Sequence, residues 1–267
     1  IIGSTSVVAD SAGSITFTGT TYNANQQIYD SGSAANPITL AGGGATTFTT
    51  TDDALSFSGA LDLDGNDMTA TTGSGSIDFD NTITGPGNLL VRTTGTGYFG
   101  GAVSGLTTLT TNTDGLIHIN AGTITTVGDQ EYNDYLIFDS NTTMATTGGG
   151  DISFNRDINA DTGAQTLTLN TSGVNHFNAL VGNNTPLASL TTDAPGSTTI
   201  NTTAISTNGN QTFNDAVNLT SDSALSAGTG NITFNSVLNG AYNLQLNTTG
   251  INAFNAIVGG VSSLASI

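Results

Sequence analysis

The stretch HINAGTITTVGDQEYND at residues 118–134 returns as TINTTAISTNGNQTFND at residues 199–215, the later copy running from Thr199 as the earlier runs from His118, with no gap. Further on, DISFN from Asp151 returns as NITFN from Asn231, LTLNTSG from Leu167 as LQLNTTG from Leu244, and FNALVG from Phe177 as FNAIVG from Phe254. A fainter copy shows earlier, in SIDFD from Ser76, in the Thr-Thr-Gly ending at Gly95, and in LTTLTT from Leu106 against LASLTT from Leu187. A large unit of about 77–81 residues therefore recurs about three times, and a fixed period of this kind signals a repeat architecture. The reading divides the chain into weak repeats over 1–52 and large units over approximately 53–129, 130–209 and 210–267, the last incomplete, all within one continuous solenoid.

Each large unit holds a smaller one: Gly, three residues, a large apolar residue, usually Asn, then an aliphatic residue. It reads GDISFNRDI from Gly150, GVNHFNALV from Gly173, GNQTFNDAV from Gly209 and GNITFNSVL from Gly230. The markers Tyr132, Phe154, Phe177 and Ile200, and again Phe213, Phe234 and Phe254, follow one another at roughly 20–23 residues, a period that suits one coil of a solenoid. The step from Ile200 to Phe213 is shorter than all the others.

Segments such as Ile152-Ser153-Phe154 and Leu167-Thr168-Leu169 alternate apolar and polar residues over too few positions to stand alone as a sheet. Stacked in parallel on copies of themselves at about 4.8 Å, they place Phe over Phe and Leu over Leu inside, with Asn and Thr in ladders outside. Glycines are expected at corners for positive φ. A helical reading fails because β-branched residues, Gly and Asn abound while Lys, Glu and Arg are almost missing. The expected fold is all-β, a parallel β-solenoid of about 20–23 residues per coil and on the order of 12 coils, with almost no helix.

Composition narrows the function. Of 267 residues only 8% are charged, the cations being Arg92 and Arg156 against 20 acids, for a formal charge of −18. Such a chain has almost nothing with which to neutralise phosphate, which argues against nucleic acid and anionic membranes as partners. Divalent cations or basic partners fit better. The absence of cysteine excludes disulfides and thiolate metal sites. No apolar run approaches a membrane-spanning helix, so no membrane insertion of this segment is expected. Ile1-Ile2-Gly3-Ser4 has neither an initiator Met nor the charged-then-apolar pattern of a signal peptide, and the chain reads as a fragment of a longer one.

The run GNQTFNDAVNLTSDSALSAGTGNITFNSVLNGAYNLQLNTTG from Gly209, followed by FNAIVGG from Phe254 and SLASI from Ser263, resembles the repeats of filamentous-haemagglutinin-like surface proteins of Gram-negative bacteria. The resemblance spans most of 53–267. It implies a right-handed parallel β-helix, secretion to the cell surface or beyond, and work in adhesion, biofilm cohesion or fibre formation. The family's secretion signal and receptor-binding tip have no counterpart residues here.

Candidate sites are sparse. LDLDGNDM from Leu61 places Asp62, Asp64 and Asp67 in a pattern similar to the start of a calcium loop, but no Glu stands at the twelfth position and a structural turn is the stronger reading. No other cofactor is expected. The acids stand singly and the two arginines, Arg92 and Arg156, are far apart in sequence, whereas polysaccharide cleavage needs clustered carboxylates; no enzyme is expected. His118 and His176 occupy ordinary strand positions of the repeat, and Arg92 and Arg156 suit local ion pairs worth about 0–1 kcal/mol. Thr-x-Thr runs such as Thr108-Leu109-Thr110 and Thr166-Leu167-Thr168 raise an ice-binding alternative, but Asn, Asp and Gln interrupt the series. Asn-x-Thr/Ser triplets, as at Asn170 and Asn247, arise readily from composition. The leading expectation is a structural extracellular repeat protein, an adhesin shaft or fibre subunit whose first partner is itself. The alternative is a glycan-binding module using Asn, Asp and the aromatics Tyr22, Tyr29 or Tyr98, taken as exposed.

Overall fold

The structure, a computed structural model, describes residues 6–112 and 114–267. The opening Ile1-Ile2-Gly3-Ser4 lies outside the described residues. Among those residues there is no helix, and every strand pair is parallel. The chain is a parallel β-solenoid of about 12 turns, each turn made of three short strands that give three faces. Two compact units divide it, one up to Gly128 with Asn133–Tyr135, the other Asp129–Tyr132 with Leu136–Ile267.

In the first unit, face one stacks Val7–Asp10, Gln27–Asp30, Leu55–Phe57, Ile77–Phe79, Thr96–Phe99 and Leu116–Ile119. Its inner positions align Tyr29, Phe57, Phe79 and Phe99 in register. The Phe57–Phe79 and Phe79–Phe99 rings stack at 5.5 Å. Turn length follows the loops. The turn from Gln27 to its partner Leu55 is long, the excess taken up by the loop through Ser31–Asn36, whereas in the second unit the turn from Ser197 to its partner Ala216 is short. The expected coil of about 20–23 residues lies between these two.

In the second unit the faces, in chain order, are designated X, Y and Z. Face X stacks Gln130–Tyr132, Ile152–Phe154, Val174–Phe177, Ser197–Ile200, Ala216–Leu219 and Leu238–Asn239. Face Z stacks Thr142–Thr146, Thr166–Asn170, Ser189–Thr192, Gln211–Phe213, Ile232–Phe234 and Asn252–Phe254. Face Y lies between them and includes Ile158, the single-residue bridge at Val181 and Ile205. The spacing of the aromatic markers reappears as register: Tyr132 pairs with Phe154, Phe154 with Phe177 and Phe177 with Ile200 on face X. Phe213 pairs with Phe234 and Phe234 with Phe254 on face Z. The short step between the two series is the chain leaving face X at Ile200, crossing face Y through Ala204–Ser206 and resuming the ladder on face Z.

The sequence repeat is therefore not a whole number of turns. From Tyr132 on face X to its equivalent Phe213 on face Z the chain makes eleven steps from strand to strand, counting the Val181 bridge as a strand position. Eleven steps over three faces make three turns and two-thirds, so each repeat is rotated by one face relative to the last. Phe154 to Phe234 and Phe177 to Phe254 give the same count.

The core is what this stacking buries. Phe48, Phe57, Tyr132, Phe138, Phe177 and Phe213 are 0% exposed, each contributing about 1.5–3 kcal/mol of apolar transfer. Ring centroids 5.1 to 5.6 Å apart along the ladders add about 0.5–1.5 kcal/mol per pair.

Polar side chains close the corners. At three Thr-x-Gly corners the Thr hydroxyl accepts from the Gly amide two residues on and donates to a glycine carbonyl of the preceding turn. Thr171 Oγ1 accepts from Gly173 N at 2.9 Å and donates to Gly150 O at 2.6 Å. Thr93 does the same with Gly95 and Gly75, and Thr248 with Gly250 and Gly230. A second device is Gln-x-Tyr: Tyr29 donates to Gln27 Oε1 at 2.7 Å and Tyr132 to Gln130 Oε1 at 3.0 Å. Burial raises the pKa of both phenols, which keeps them protonated as donors. In the third copy Phe213 replaces the Tyr, and Gln211 Oε1 is buried without a hydrogen-bond partner.

The glycines that head the small motif serve a purpose other than the expected positive φ. Gly209, Gly230 and Gly250 have no left-handed backbone; a Cβ on Gly230 would lie 2.2 Å from the carbonyl carbon of Gly209, and one on Gly250 2.3 Å from the oxygen of Gly230. Close approach of successive turns excludes a side chain there. Positive φ falls on neighbours such as Gly149 and Gly228.

Two stability measurements check these corners. Phe213→Tyr, which supplies the missing donor to Gln211, is expected to stabilise the fold by about 1 kcal/mol in denaturant unfolding; a loss would show that the ring has no room for the hydroxyl. Gly230→Ala is expected to destabilise by about 1–3 kcal/mol, while Gly44→Ala, which meets nothing within 4 Å, changes stability by less than about 0.5 kcal/mol.

Candidate functional site

The strand alternation that sends Phe and Leu inward sends a row of polar side chains outward on each face. On face Z that row is uniform. Thr143 pairs with Thr168, Thr168 with Thr191, Thr191 with Thr212 and Thr212 with Thr233, giving five threonines in register. Only one position of the Thr-x-Thr pair is kept from turn to turn, the flanking positions changing to Ser, Ala, Asn and Asp, so the paired series is interrupted as the sequence indicated while a single column remains. Asparagines flank the column. Asn235 donates to Asn214 Oδ1 and Asn255 to Asn235 Oδ1, both at 2.7 Å, in an exposed amide ladder. A second ladder, Asn155–Asn178–Asn201, follows the aromatic row of face X. Face X is more mixed, its outward row reading Glu131, Ser153, His176, Thr199, Asn218 and Asn239.

Charge is unevenly distributed along the chain. After Asp161 the sequence contains only Asp193, Asp215 and Asp222 as acids and no Lys or Arg. Asp193, at the edge of face Z, is turned to accept the Thr171 amide at 3.0 Å. Asp215 is 2% exposed and sits inside the solenoid. Its Oδ1 accepts from the Thr192 hydroxyl at 2.7 Å, Thr198 reaches its Oδ2 at 2.9 Å, and Asn175 Nδ2 its Oδ2 at 3.3 Å. Burial pushes the Asp215 carboxyl above the usual carboxylate range, partly offset by these donors.

Asp62, Asp64 and Asp67 form a turn. Asp62 Oδ1 accepts from the Asp64 amide at 3.0 Å, Asp64 and Gly65 take positive φ, and Asp67 Oδ1 receives both the amide and the side-chain Nδ2 of Asn88 at 2.9 Å. Asp64 and Asp67 border an open depression of about 400 Å3 with Gly43 and Gly44. Among the described residues no three His, Asp or Glu side chains form a group that could hold a metal ion.

The remaining candidates lie apart. His118 and His176 both point outward, paired with Tyr98 and Thr199 respectively, and His176 Nε2 is 3.6 Å from Asp151 Oδ2. Arg92 ends the strand Asn88–Arg92 of the first unit, exposed, opposite Thr71. Tyr29, expected on the surface, is instead 3% exposed, because its hydroxyl is drawn in to Gln27. Tyr22 stacks on Phe48 at 5.0 Å and receives the Gly19 amide at 2.7 Å. Tyr98, on a different face from Tyr22, accepts from Asn120 Nδ2 at 3.1 Å. The three tyrosines do not form a common outward row. Of the threonine column only Thr168 was named from sequence, and the interior acid was not; the identical Asn-Asp at 133–134 and 214–215, one of few acids kept between copies, was the available signal for the latter.

Comparison with models of known protein families, with curated proteins and with solved structures found no match. What the molecule offers chemically is a stack of hydroxyl and amide groups on a rigid support.

Asp215 generates a pH test. Its folded pKa is raised above the unfolded value, so the stability linked to its protonation is fully present below the ordinary carboxylate pKa and is lost as pH rises through the raised one. Asp193 and Asp78 shift the same way, burial being the largest cause. The thermal midpoint is expected to rise on going from pH 7 toward pH 4. Asp215→Asn, which keeps an oxygen to accept from Thr192 and Thr198, is expected to stabilise by on the order of 1 kcal/mol at pH 7 and to flatten that rise. An unchanged pH profile in Asp215→Asn would place the effect elsewhere.

Proposed function

We propose that this chain is a structural module of a secreted surface protein, the shaft of an adhesin or a subunit of an extracellular fibre, of the filamentous-haemagglutinin-like kind that its repeats resemble. The observation that carries the reading is the continuity of one packing solution: aromatic ladders, Thr-x-Gly corners and Asn ladders recur from turn to turn. Such a body needs no cofactor to hold its shape, because each turn is stabilised by its neighbours. Its outward rows carry hydroxyls and amides, groups that suit broad contact with copies of itself. No helix among the described residues is long and apolar enough to cross a membrane, consistent with a module outside the bilayer in this reading.

Electron microscopy of native material tests it. The expected result is rods or filaments at the cell exterior that bind antibody raised against this chain and give a layer line near about 4.8 Å along their axis. Antibody that labels only the cell interior would sink the proposal.

A further inference from the structure

We infer that face Z of the second unit is a self-association surface, on which a second copy of this chain docks face to face. The inference rests on the self-association in the proposed function and names the surface that performs it.

The first argument is charge. A chain of formal charge −18 repels its own copy, and close lateral contact brings surface charges within the roughly 8 Å over which salt leaves them unscreened. Two copies meet with least repulsion where the acids are fewest. Face Z from Thr166 to Asn255 is such a place: its outward rows are Thr168, Thr191, Thr212 and Thr233 between Asn and Ser positions, and its bordering acid, Asp193, is turned to a backbone amide. Over the same turns face X also lacks an outward acid, but its row is mixed, reading His176, Thr199, Asn218 and Asn239 with His176 near Asp151, so what distinguishes face Z is the uniformity of its neutral row.

The second argument is complementarity. Hydroxyl and primary amide groups each donate and accept, so a row of Thr flanked by Asn satisfies an identical row related to it by a two-fold axis, as an isologous contact requires. Short side chains aligned on parallel strands interdigitate well when charge is low. The paired strands of face Z run in register from Thr143 to Phe254 without a bulge, which keeps the surface regular. The column carries no outward aromatic ring of the sort that stacks on sugars, which favours a second copy over a glycan.

Magnitude sets how the contact is read. Five strands at about 4.8 Å spacing offer a patch of a few hundred Å2 per partner, below the roughly 800 Å2 of a stable pair. A single patch binds weakly, and affinity accumulates only where several patches engage together.

Because the chain has no cysteine, one introduced thiol reports the contact. Thr191→Cys, mid-column on face Z, and Thr199→Cys, a strand position of similar exposure on face X, are compared for disulfide-dimer formation under mild oxidation. Thr191→Cys is expected to cross-link about tenfold or more faster, and adding Thr212→Glu to it is expected to remove the advantage. If Thr199→Cys is as fast or faster, and faster than the Thr191→Cys/Thr212→Glu pair, copies associate by another face and this inference fails while the proposed function stands. If neither single variant exceeds that double variant, self-association itself fails, and the inference with it. If wild-type protein is retarded by neutral dextran in gel electrophoresis and Thr191→Glu is not, while Thr191→Cys shows no cross-linking advantage, the face takes a neutral glycan and the second copy is overturned.

Discussion

Everything in this molecule depends on one contact, that of a residue with its own counterpart one turn away. Parallel pairing satisfies the backbone along the axis, and the register that it imposes puts each inner side chain on its equivalent, as Phe154 lies on Phe177 and Phe213 on Phe234. A strand of three residues is too short to persist by itself, so no turn is stable in isolation and each inherits its geometry from the next. Corners must then obey the axial spacing. That is why a hydroxyl one turn up meets a glycine carbonyl one turn down, and why Gly230 and Gly250 tolerate no Cβ.

The parts of the fold that were legible in the sequence are those written at one residue per turn. The aromatic markers carried both the coil length and, through their single short step, the change of face between Ile200 and Phe213, although that step looked like an irregularity until the strands were placed. The glycine motif was legible as a corner but not for its reason, since sequence does not distinguish a positive φ from a close approach. The threonine column of face Z was only partly legible, because threonine also abounds at other strand and corner positions and its flanking positions vary between Ser, Ala, Asn and Asp, whereas an aromatic residue is rare enough to mark its place in each turn. Tyr29 was misplaced because a phenol reads as a surface group, and only the Gln two residues earlier, repeated in Gln130 and Tyr132, marks it as the inner half of a hydrogen-bonded pair.

The interior is not purely apolar. Gln27, Gln130 and Gln211 are almost wholly buried, as are Thr111, Thr192 and Thr198; the glutamine amides donate to the carbonyls of Thr49, Ala145 and Ser226. The two exceptions are instructive. Gln211 has no donor to its Oε1 because Phe213 stands where the second copy has Tyr132, a local defect that the surrounding stack absorbs. Asp215 keeps an acid where a neutral amide would serve as an acceptor, and the hydroxyls of Thr192 and Thr198 have been recruited around it. The buried acid is shared with the second copy, where Asp134 is 0% exposed, whereas the Phe at position 213 is confined to the third.

The repeat of three turns and two-thirds bears on where each copy begins. A copy of eleven strand positions starts two faces further along the winding than the copy before it, as Tyr132 on face X and Phe213 on face Z show. The fold accepts this because the three faces are equivalent hosts: the same Gly-x-x-x-Phe-Asn strand packs on face X in one copy and on face Z in the next. The constraint on the repeat is thus the strand position rather than the whole coil, since a segment of eleven positions fits the winding without completing its last turn.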